Sequence, residues 1–483
     1  MARNLTTGTP WRVIGVFMVP LLIGNVVQQL YQVTDAMVVG RTLGVDALAA
    51  VGATGSLLFL LLGFAFGMTS GFAIPTAQAF GAGDLAAVRR SVAAGTLLTG
   101  AASIVVTVGG PLLAGTALRL LGTPEELVPQ ATTFAVVTFA GAATTMYFNF
   151  LAAIIRAIGD SRTPLLFLVV SCLLNIGLVL AIVRGAGYGV GGAALATVVA
   201  QLVSVVLCLL YVRSRVPVLH VHRADWRVPR ADLREHLRIG LPMGFQMSII
   251  AIGAVAVQVR LNTLGADAVA AYTTALRVDG ISMAVMSSLG IAASTYTAQN
   301  YGAGRYDRIR SGIRQAIVMA VVAALTIGAA LALWGGQIVQ LFVGSSEEQV
   351  VDMAALFLLV NGSLYWVLAV LFVVRGALQA LGRTFAPTAS GVVELGMRIG
   401  AAMILGAAYG FPGVVWANPL AWAGSVAVLL PGYVLARRAL QPGSPGRPIT
   451  TPELAAAEPV ALGAAAPGAS TPDARPASVP PAQ

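Results

Sequence analysis

The segments TLGVDALAA (42–50) and TAQAFGAGD (76–84) each return 221 positions later in the chain. The second copies are TLGADAVAA (263–271) and TAQNYGAGR (297–305), with seven and six of nine residues identical. Two matches at one offset indicate an internal duplication of a unit near 220 residues. The chain is therefore predicted to fold as two similar halves.

The composition is that of a membrane protein. Hydrophobic residues make up 57% of the chain and charged residues only 10%, whereas soluble proteins carry about 25% charged residues. Apolar runs of about 20 residues match the ~30 Å hydrocarbon core as helices. Only helices and closed barrels satisfy their backbone groups in lipid, and continuous runs favour helices over alternating strands.

Twelve apolar spans can be placed, six in each repeat. A looser match at an offset of 223 supports the later spans, because Ala157 and Pro164 return as Ala380 and Pro387. We predict an all-α polytopic membrane protein, with twelve transmembrane helices arranged as two six-helix repeats around a central cleft. The spans lie near 13–38, 49–80, 91–114, 127–155, 164–184, 189–212, 238–260, 270–299, 312–334, 350–379, 387–408 and 412–436.

These spans divide the chain into four parts. We predict a first lobe at 1–212, a cytoplasmic basic linker at 213–237, a second lobe at 238–438 and a disordered Pro/Ala-rich tail at 439–483. Six helices per repeat is an even number, so both lobes should insert in the same orientation. A pseudo-two-fold axis along the membrane normal would then relate them.

The charged residues predict the orientation of the chain in the membrane and exclude ATP hydrolysis at a Walker A site as its energy source. The net charge is +10 and all 29 basic residues are arginine, so a Walker A phosphate loop, which needs lysine, is absent from the sequence. Arginines concentrate in alternate loops, with six in the linker at 213–237 and a seventh, Arg238, directly after it. The positive-inside rule therefore predicts that both termini are cytoplasmic. We expect the protein to reside in the cytoplasmic (inner) membrane.

The first span carries an unusual polar face. Asn25, Gln28, Gln32 and Asp35 are spaced by three, four and three residues, so they cluster on one side of a helix. Inserting a charged carboxylate at the bilayer centre costs roughly 2.5–3.5 kcal/mol of free energy. The carboxylate avoids this cost by taking up a proton or binding a cation. Alternatively, Asp35 lies near the outer interface and is solvated, or caps a bend before Gly40.

The internal duplication helps to decide between these interpretations of Asp35. The position equivalent to Asp35 in the second repeat is Ala256, or Val257 if Pro20 is aligned with Pro242. A charge needed for packing of the fold should tend to occur in both lobes. The absence of an acid at the equivalent position favours a functional role for Asp35.

Other polar residues inside the spans are few. The acidic candidates are Asp279, next to Arg277, and Glu394, which is placed to pair with Arg398 one helical turn later. Each neutral residue alone is more often an interhelical hydrogen bond, and each methionine is more often core packing. The candidates for the cleft or the ion site are Tyr147, Asn149, Asn175, Thr197, Gln246, Met247, Met283 and Met286.

The second span contains a run of small residues. Gly63, Gly67 and Gly71 are four residues apart, a spacing that lets two helix backbones approach closely. The second repeat has Ala284, Ser288 and Ala292 at the equivalent positions. We interpret this face as helix packing.

The first span and its flanking motifs resemble the multidrug and toxic compound extrusion (MATE) family. The similarity rests on PLLIGNVVQQLYQVTDAMVVGRTLGVDALAAVG, on AQAFGAGD, on RAIGDSRTP (156–164) and on AQNYGAG, and it covers residues 10–438. It implies export of organic cations or related compounds as H⁺ or Na⁺ enters, by rocking of two lobes. We also expect a monomer in the lipid bilayer, with no cofactor beyond the coupling ion. A nucleic-acid partner is not expected, because the arginines lie in short loops between the spans.

The resemblance also assigns candidate residues. Asp35 matches the family's acid in the first helix, and Gln28, Asn175 and Thr197 match a polar cluster of the first lobe. A second acid usual in the family is replaced here by Val179, and the seventh span has no acid. The ion site is therefore predicted at Asp35, Gln28, Asn175 and Thr197. The substrate cleft is predicted at Gln32, Tyr147, Asn149, Gln246, Met247 and Met286. One carboxylate suits a proton, whereas Na⁺ would need neutral oxygens.

Two other functions fit the composition less well. A flippase for lipid-linked oligosaccharides, from the same superfamily, would favour a cationic cleft, and the sequence assigns few arginines to the cleft. A membrane enzyme would need clustered histidines or carboxylates, but His220, His222 and His236 all fall in the predicted linker. The paired His220 and His222 are more typical of a solvated linker than of a metal site.

Overall fold

A computed structural model describes residues 4–185, 187–343 and 347–441 of the chain. The predicted disordered tail, 439–483, lies outside the described residues from position 442 onward. Fifteen α-helices occur in the described residues, with one π-helical turn at Leu180–Gly185 and two short 3₁₀ turns between α7 and α8. The α-helices are α1 Pro10–Leu43, α2 Val45–Ala82, α3 Leu85–Leu120, α4 Val128–Ala140, α5 Ala142–Ala157, α6 Arg162–Val179, α7 Gly189–Arg215, α8 Arg230–Asn262, α9 Ala266–Gly302, α10 Tyr306–Val343, α11 Glu348–Ser363, α12 Tyr365–Ala380, α13 Phe385–Tyr409, α14 Phe411–Val415 and α15 Ala417–Ala439.

These helices make twelve membrane spans. Ten stretches of the described chain are long and apolar enough to cross a bilayer, α14 and α15 counting together as one. The other two spans are the bent pairs α4–α5 and α11–α12. The predicted all-α fold with two six-helix repeats is confirmed.

Two spans expected to be continuous are bent. The sequence predicts single spans at 127–155 and 350–379, but the helices turn by 48° at Gly141 and by 51° at Leu364. These two breaks are 223 positions apart, so the bend is a feature of the repeated unit. Hydropathy does not reveal the bend, because the helices on both sides of each break are apolar.

The two repeated motifs lie at opposite faces of the helix bundle. We call the face at which α1 begins and α2 ends the N-face, and the opposite one the far face. The motif at 42–50 joins α1 to α2 at the far face, and its copy at 263–271 joins α8 to α9 there. The motif at 76–84 ends α2 at the N-face, where Gly83 adopts a left-handed φ of 75°.

The RAIGDSRTP motif shapes the N-face turn between α5 and α6. The Asp160 carboxylate accepts hydrogen bonds from the backbone and hydroxyl of Thr163 and from the Tyr211 hydroxyl, at 2.7 to 3.1 Å. Burial acts to raise the pKa of the Asp160 carboxyl, but these hydrogen bonds outweigh it and leave the pKa below its usual value. The aspartate therefore caps α6 in its charged form.

The linker is shorter in the structure than in the prediction. Helix α7 continues to Arg215 and α8 begins at Arg230, so the predicted linker at 213–237 overlaps both helices. His236, expected in a solvated linker, lies inside α8 and is buried. It contacts Ser91 of α3 through Nε2, at 2.9 Å.

The two lobes meet along two seams, α2 against α8 and α1 against α9. A Cβ added to Gly67 would lie 2.4 Å from the Met243 carbonyl oxygen, and one added to Gly71 would lie 2.6 Å from the Gly240 Cα. These contacts confirm the packing interpretation of the small-residue run. Across the other seam, Asn25 Nδ2 donates to the Ser288 hydroxyl at 2.9 Å.

The repeated TAQxxGAG motifs touch each other at the N-face, where they form a contact that we call the N-face plug (Gln78, Gly81, Gln299 and Gly302). A Cβ on Gly81 would lie 1.9 Å from the Gln299 carbonyl oxygen, and a Cβ on Gly302 would lie 1.8 Å from the Gln78 carbonyl oxygen. The two contacts are reciprocal, as expected if a pseudo-two-fold axis passes between them.

The plug is completed by side-chain hydrogen bonds that cross the lobe boundary. Gln78 Nε2 donates to the Ala380 carbonyl and Gln299 Nε2 to the Ala157 carbonyl, both at 2.7 Å. Gln299 Oε1 also accepts from the backbone N–H of the buried Leu5, at 2.9 Å. The segment before α1 is thereby attached to the same closed contact.

Candidate functional site

A cavity lies between the lobes, directly on the far-face side of the plug. Its volume is about 250 Å³, slightly below the ~300–1,000 Å³ typical of ligand pockets. Among the described residues, interlobe hydrogen bonds reach from the N-face only as far as Leu60–Ser248 and Asn25–Ser288, near the middle of the helices. The lobes are thus joined at the N-face and through the middle of the bundle.

The cavity wall is apolar over most of its area and carries hydroxyl and amide groups at intervals. The apolar side chains include Phe66, Ile291 and Phe372. The polar groups include the Ser70, Ser294 and Thr295 hydroxyls and the Gln379 amide. Such a wall suits an amphipathic ligand that makes a few oriented hydrogen bonds.

The charged residues of the wall are both arginines. Arg156 at the end of α5 and Arg375 on α12 line the cavity, and no acid of the described residues does so. Neither of these two arginines was assigned to the cleft from the sequence. Arg156 lies one position beyond the predicted span at 127–155, but α5 continues through it to Ala157.

Arg375 belongs to a buried network in the second lobe. Its Nη2 lies 2.7 Å from Glu394 Oε2 and 2.8 Å from the Ser425 hydroxyl, and Arg398 Nη2 lies 2.9 Å from Glu394 Oε1. The predicted Glu394–Arg398 pair is present. The Glu394 carboxylate thus binds two guanidinium groups. Spacing along the sequence did not reveal Arg375, because it lies on another helix.

The predicted cleft residue Gln246 connects this network to the cavity. Its side-chain amide lies 2.8 Å from that of Gln379. With the amide oriented so that the oxygen faces Arg375, that oxygen lies 2.7 Å from Nε and 2.8 Å from Nη1. The Gln246 amide therefore holds the Arg375 guanidinium against the wall.

A second buried acid occupies the second lobe. Asp279 is buried and accepts a hydrogen bond from the Tyr365 hydroxyl, while the neighbouring Arg277 is exposed. Arg398 is the cation within electrostatic reach of Asp279. Asp279, whose role the sequence left open, thus has Tyr365 rather than the neighbouring Arg277 as its partner.

The first-lobe polar cluster is assembled in part. Asn175 Nδ2 donates to the Thr197 hydroxyl at 3.0 Å, and the Tyr31 hydroxyl lies 3.4 Å from the same oxygen. Asp35, one turn from Tyr31, has a buried Oδ1 with no hydrogen-bond partner among the described residues. Gln28 is exposed and forms no hydrogen bond in the described part of the chain. Tyr31 was missed, although its i, i+4 spacing from Asp35 could have revealed it.

Some of the residues predicted for the substrate cleft line the cavity, and the others lie elsewhere. Gln246 and Met247 line the cavity, and Gln32 is exposed on α1. Tyr147 donates to the Thr96 carbonyl of α3 at 3.2 Å, and Met286 is fully buried in the second-lobe core. The half-buried Asn149 does not line the cavity.

The histidines have local partners. His220 Nε2 lies 2.9 Å from the Val212 carbonyl oxygen, so its ring nitrogen donates there, and His222 faces Asp225. In the described residues, no group of three or more histidine, cysteine or acidic side chains is arranged to hold a metal ion.

Comparisons with known proteins agree on one family. The sequence profile of the MatE family matches residues 20–181 and 242–404. The "Probable multidrug resistance protein YoeA" of Bacillus subtilis is 30% identical over 403 residues, which cover 82% of this chain and 87% of that protein. The "DNA damage-inducible protein F" of Escherichia coli is 27% identical over 338 residues, covering 68% and 72%.

Solved structures share the fold. A structure described as the outward-facing conformation of a multidrug resistance MATE family transporter has a TM-score of 0.82 at 24% identity, covering 90% of this chain and 97% of that one. A MATE in complex with MaL6 has a TM-score of 0.83 at 23% identity, covering 90% and 98%. The chain therefore belongs to the MatE family of multi-pass membrane transporters, which act on small molecules and are not enzymes.

Proposed function

We propose that this protein is a secondary-active multidrug antiporter. It exports organic cations or other amphipathic compounds by alternating access, in exchange for H⁺ or Na⁺. The multidrug names of its relatives and the amphipathic cavity between two pseudo-symmetric lobes support this function. The protein works as a monomer with no cofactor other than the coupling ion.

In this proposal the N-face is cytoplasmic and the membrane is the cytoplasmic (inner) membrane. The support is the arginine-rich composition of the N-face turns and linker, together with the positive-inside rule. Both termini are then cytoplasmic, since α1 begins and α15 ends at this face. In this proposal the plug closes the cytoplasmic side of the cavity.

Asp35 is the proposed ion carrier. The observation that carries this assignment is its buried carboxylate oxygen without a partner, beside Tyr31 in the first lobe. Buried polar atoms in native proteins normally have partners, so this oxygen is suited to a proton or a cation. The nearby Asn175 and Thr197 oxygens supply the neutral ligands that Na⁺ would need.

The energetics of one ion are sufficient for export. One elementary charge crossing 100 mV releases about 2.3 kcal/mol. Since about 1.4 kcal/mol corresponds to a tenfold ratio, one ion could sustain roughly a 50-fold gradient of a neutral substrate.

Replacing Asp35 by asparagine should abolish ion-driven efflux, because the amide neither takes up a proton at physiological pH nor offers a negative charge to Na⁺. The measurement is dye efflux from proteoliposomes with an imposed pH or Na⁺ gradient. Asp46→Asn, an exposed acid at the start of α2, is the matched control and should remain active. Full gradient-driven efflux by Asp35→Asn would exclude the assignment, and dependence on only one gradient in the unmodified protein would identify the ion.

A further inference from the structure

The charge of the central cavity bears on what the transporter binds. Arg156 and Arg375 are the charged residues in the part of the wall that the structure describes. An organic cation in this cavity would meet two guanidinium groups and no carboxylate. Asp35 lies in the first-lobe cluster and does not line the cavity, so it does not offset this charge locally.

Arg156 has no hydrogen-bonding or ion-pair partner in the part of the chain that the structure describes. It is half-buried, and neither a hydrogen bond nor an ion pair joins its side chain to any described residue. Charged groups enclosed in a protein are normally paired and hydrogen bonded, because desolvating an isolated charge is costly. A guanidinium whose five N–H donors are free and that faces a cavity is therefore suited to an anionic ligand.

The second-lobe network does not supply the missing negative charge. Glu394 is already shared by Arg375 and Arg398. Asp279 lies within electrostatic reach of Arg398 and is hydrogen bonded to Tyr365. These two acids at most balance the two arginines of the network, so the charge of Arg156 remains uncompensated.

Both arginines depart from the internal symmetry of the chain. By the 223-position offset, Arg156 is equivalent to Gln379 and Arg375 to Ala152. Gln379 lines the same cavity. The lobes thus share a cavity shape but contribute different charges to it, as expected for residues that recognise a ligand rather than support the shared fold.

We propose that the cavity selects amphipathic organic anions, in which a carboxylate, sulfonate or phosphate group is attached to an apolar body. Arg156 and Arg375 bind the anionic group, with the Gln379 amide and nearby hydroxyls as further donors. The apolar body packs against Phe66, Ile291 and Phe372. This inference rests on the proposed export function and narrows its substrate class.

The test compares two probes that share one apolar body and differ in charge, 2-naphthoate and protonated 2-(aminomethyl)naphthalene. Binding is measured by titration calorimetry on the full-length protein in nanodiscs of uncharged lipid, where no ion gradient is needed. We expect 2-naphthoate to bind at least about tenfold more tightly than the cation, the magnitude of one charge-assisted hydrogen bond. Arg156→Gln should reduce this preference to about threefold or less, and Arg156→Lys should retain part of it.

The controls separate this inference from the function on which it rests. Arg162→Gln removes an exposed arginine outside the cavity and should leave the preference unchanged. Equal or tighter binding of the cation, no binding of either probe, or an unchanged preference in Arg156→Gln would overturn the inference. Anion preference without ion-driven efflux would instead contradict the antiport proposal alone.

Discussion

Replacing Gly302 by alanine is expected to hold the lobes apart at the N-face and to stop transport. The new Cβ would lie 1.8 Å from the Gln78 carbonyl oxygen, well inside the 3.0 Å below which real Cβ atoms essentially never approach another atom. The obstructing atom is backbone, so no side-chain rotation relieves the overlap. The helices carrying Gly302 and Gln78 must separate instead.

The expected size of this effect follows from overpacking energies. Forcing an extra methyl group into a packed contact costs about 1–3 kcal/mol, and more where backbone must move. A penalty of about 3 kcal/mol lowers the population of the closed N-face state roughly 100-fold relative to the open one. A transporter that must alternate between two states would then remain in one of them.

The duplication provides an internal replicate of this experiment. Gly81→Ala creates the reciprocal overlap, 1.9 Å from the Gln299 carbonyl oxygen, so both variants should behave alike. Gly55→Ala is the control, because it lies in the same helix as Gly81 and an added Cβ would meet nothing within 4 Å. That variant should transport normally.

Cysteine labelling can measure the opening directly. Ala298 lines the cavity next to the plug and is buried, and the native Cys172 and Cys208 can be replaced by alanine. We expect Ala298→Cys to react with an impermeant maleimide added at the N-face only when Gly81→Ala or Gly302→Ala is also present. Unchanged labelling together with normal efflux in both alanine variants would show that the plug does not control access.

The plug also shows what the sequence could and could not predict. The repeat identified Gln78 and Gln299 as equivalent, but equivalence along the chain does not imply contact in space. They meet because the two-fold axis passes through this motif, and no hydropathy pattern locates such an axis. The bends at Gly141 and Leu364 escaped prediction for a related reason, since apolar composition determines whether a segment enters the membrane but not its direction.

For the same physical reason, the sequence predicted some interactions of the candidate site and not others. Interactions within one helix, such as Glu394 with Arg398, follow from spacing along the sequence. Interactions between helices, such as Arg375 with Glu394 or Tyr365 with Asp279, depend on packing that spacing does not reveal. Predictions for Met286 and Tyr147 relied on residue type alone. Met286 packs in a hydrophobic core, and Tyr147 is hydrogen bonded to Thr96 of its own lobe.

Replacing Glu394 by glutamine is expected to destabilise the second lobe severely. Glu394 is 4% exposed, and its carboxylate forms charge-assisted hydrogen bonds of 2.7 and 2.9 Å with Arg375 and Arg398. Removing one partner from a buried ionic network typically costs about 3–5 kcal/mol, because the remaining charges stay buried without compensation. Here two guanidinium groups lose their shared counter-ion at once.

Thermal unfolding in detergent should reveal this loss, with Glu125→Gln as the matched control. Glu125 pairs with Arg119 at 3.5 Å, but both side chains are more than half exposed, so its removal should cost at most about 1 kcal/mol. Adding Arg398→Gln to Glu394→Gln should recover part of the lost stability, because one of the two unpaired cations disappears. A double-mutant cycle measures this coupling. If Glu394→Gln unfolded at the same temperature as Glu125→Gln, or if Arg398→Gln only added further loss, the three side chains would not act as one buried network.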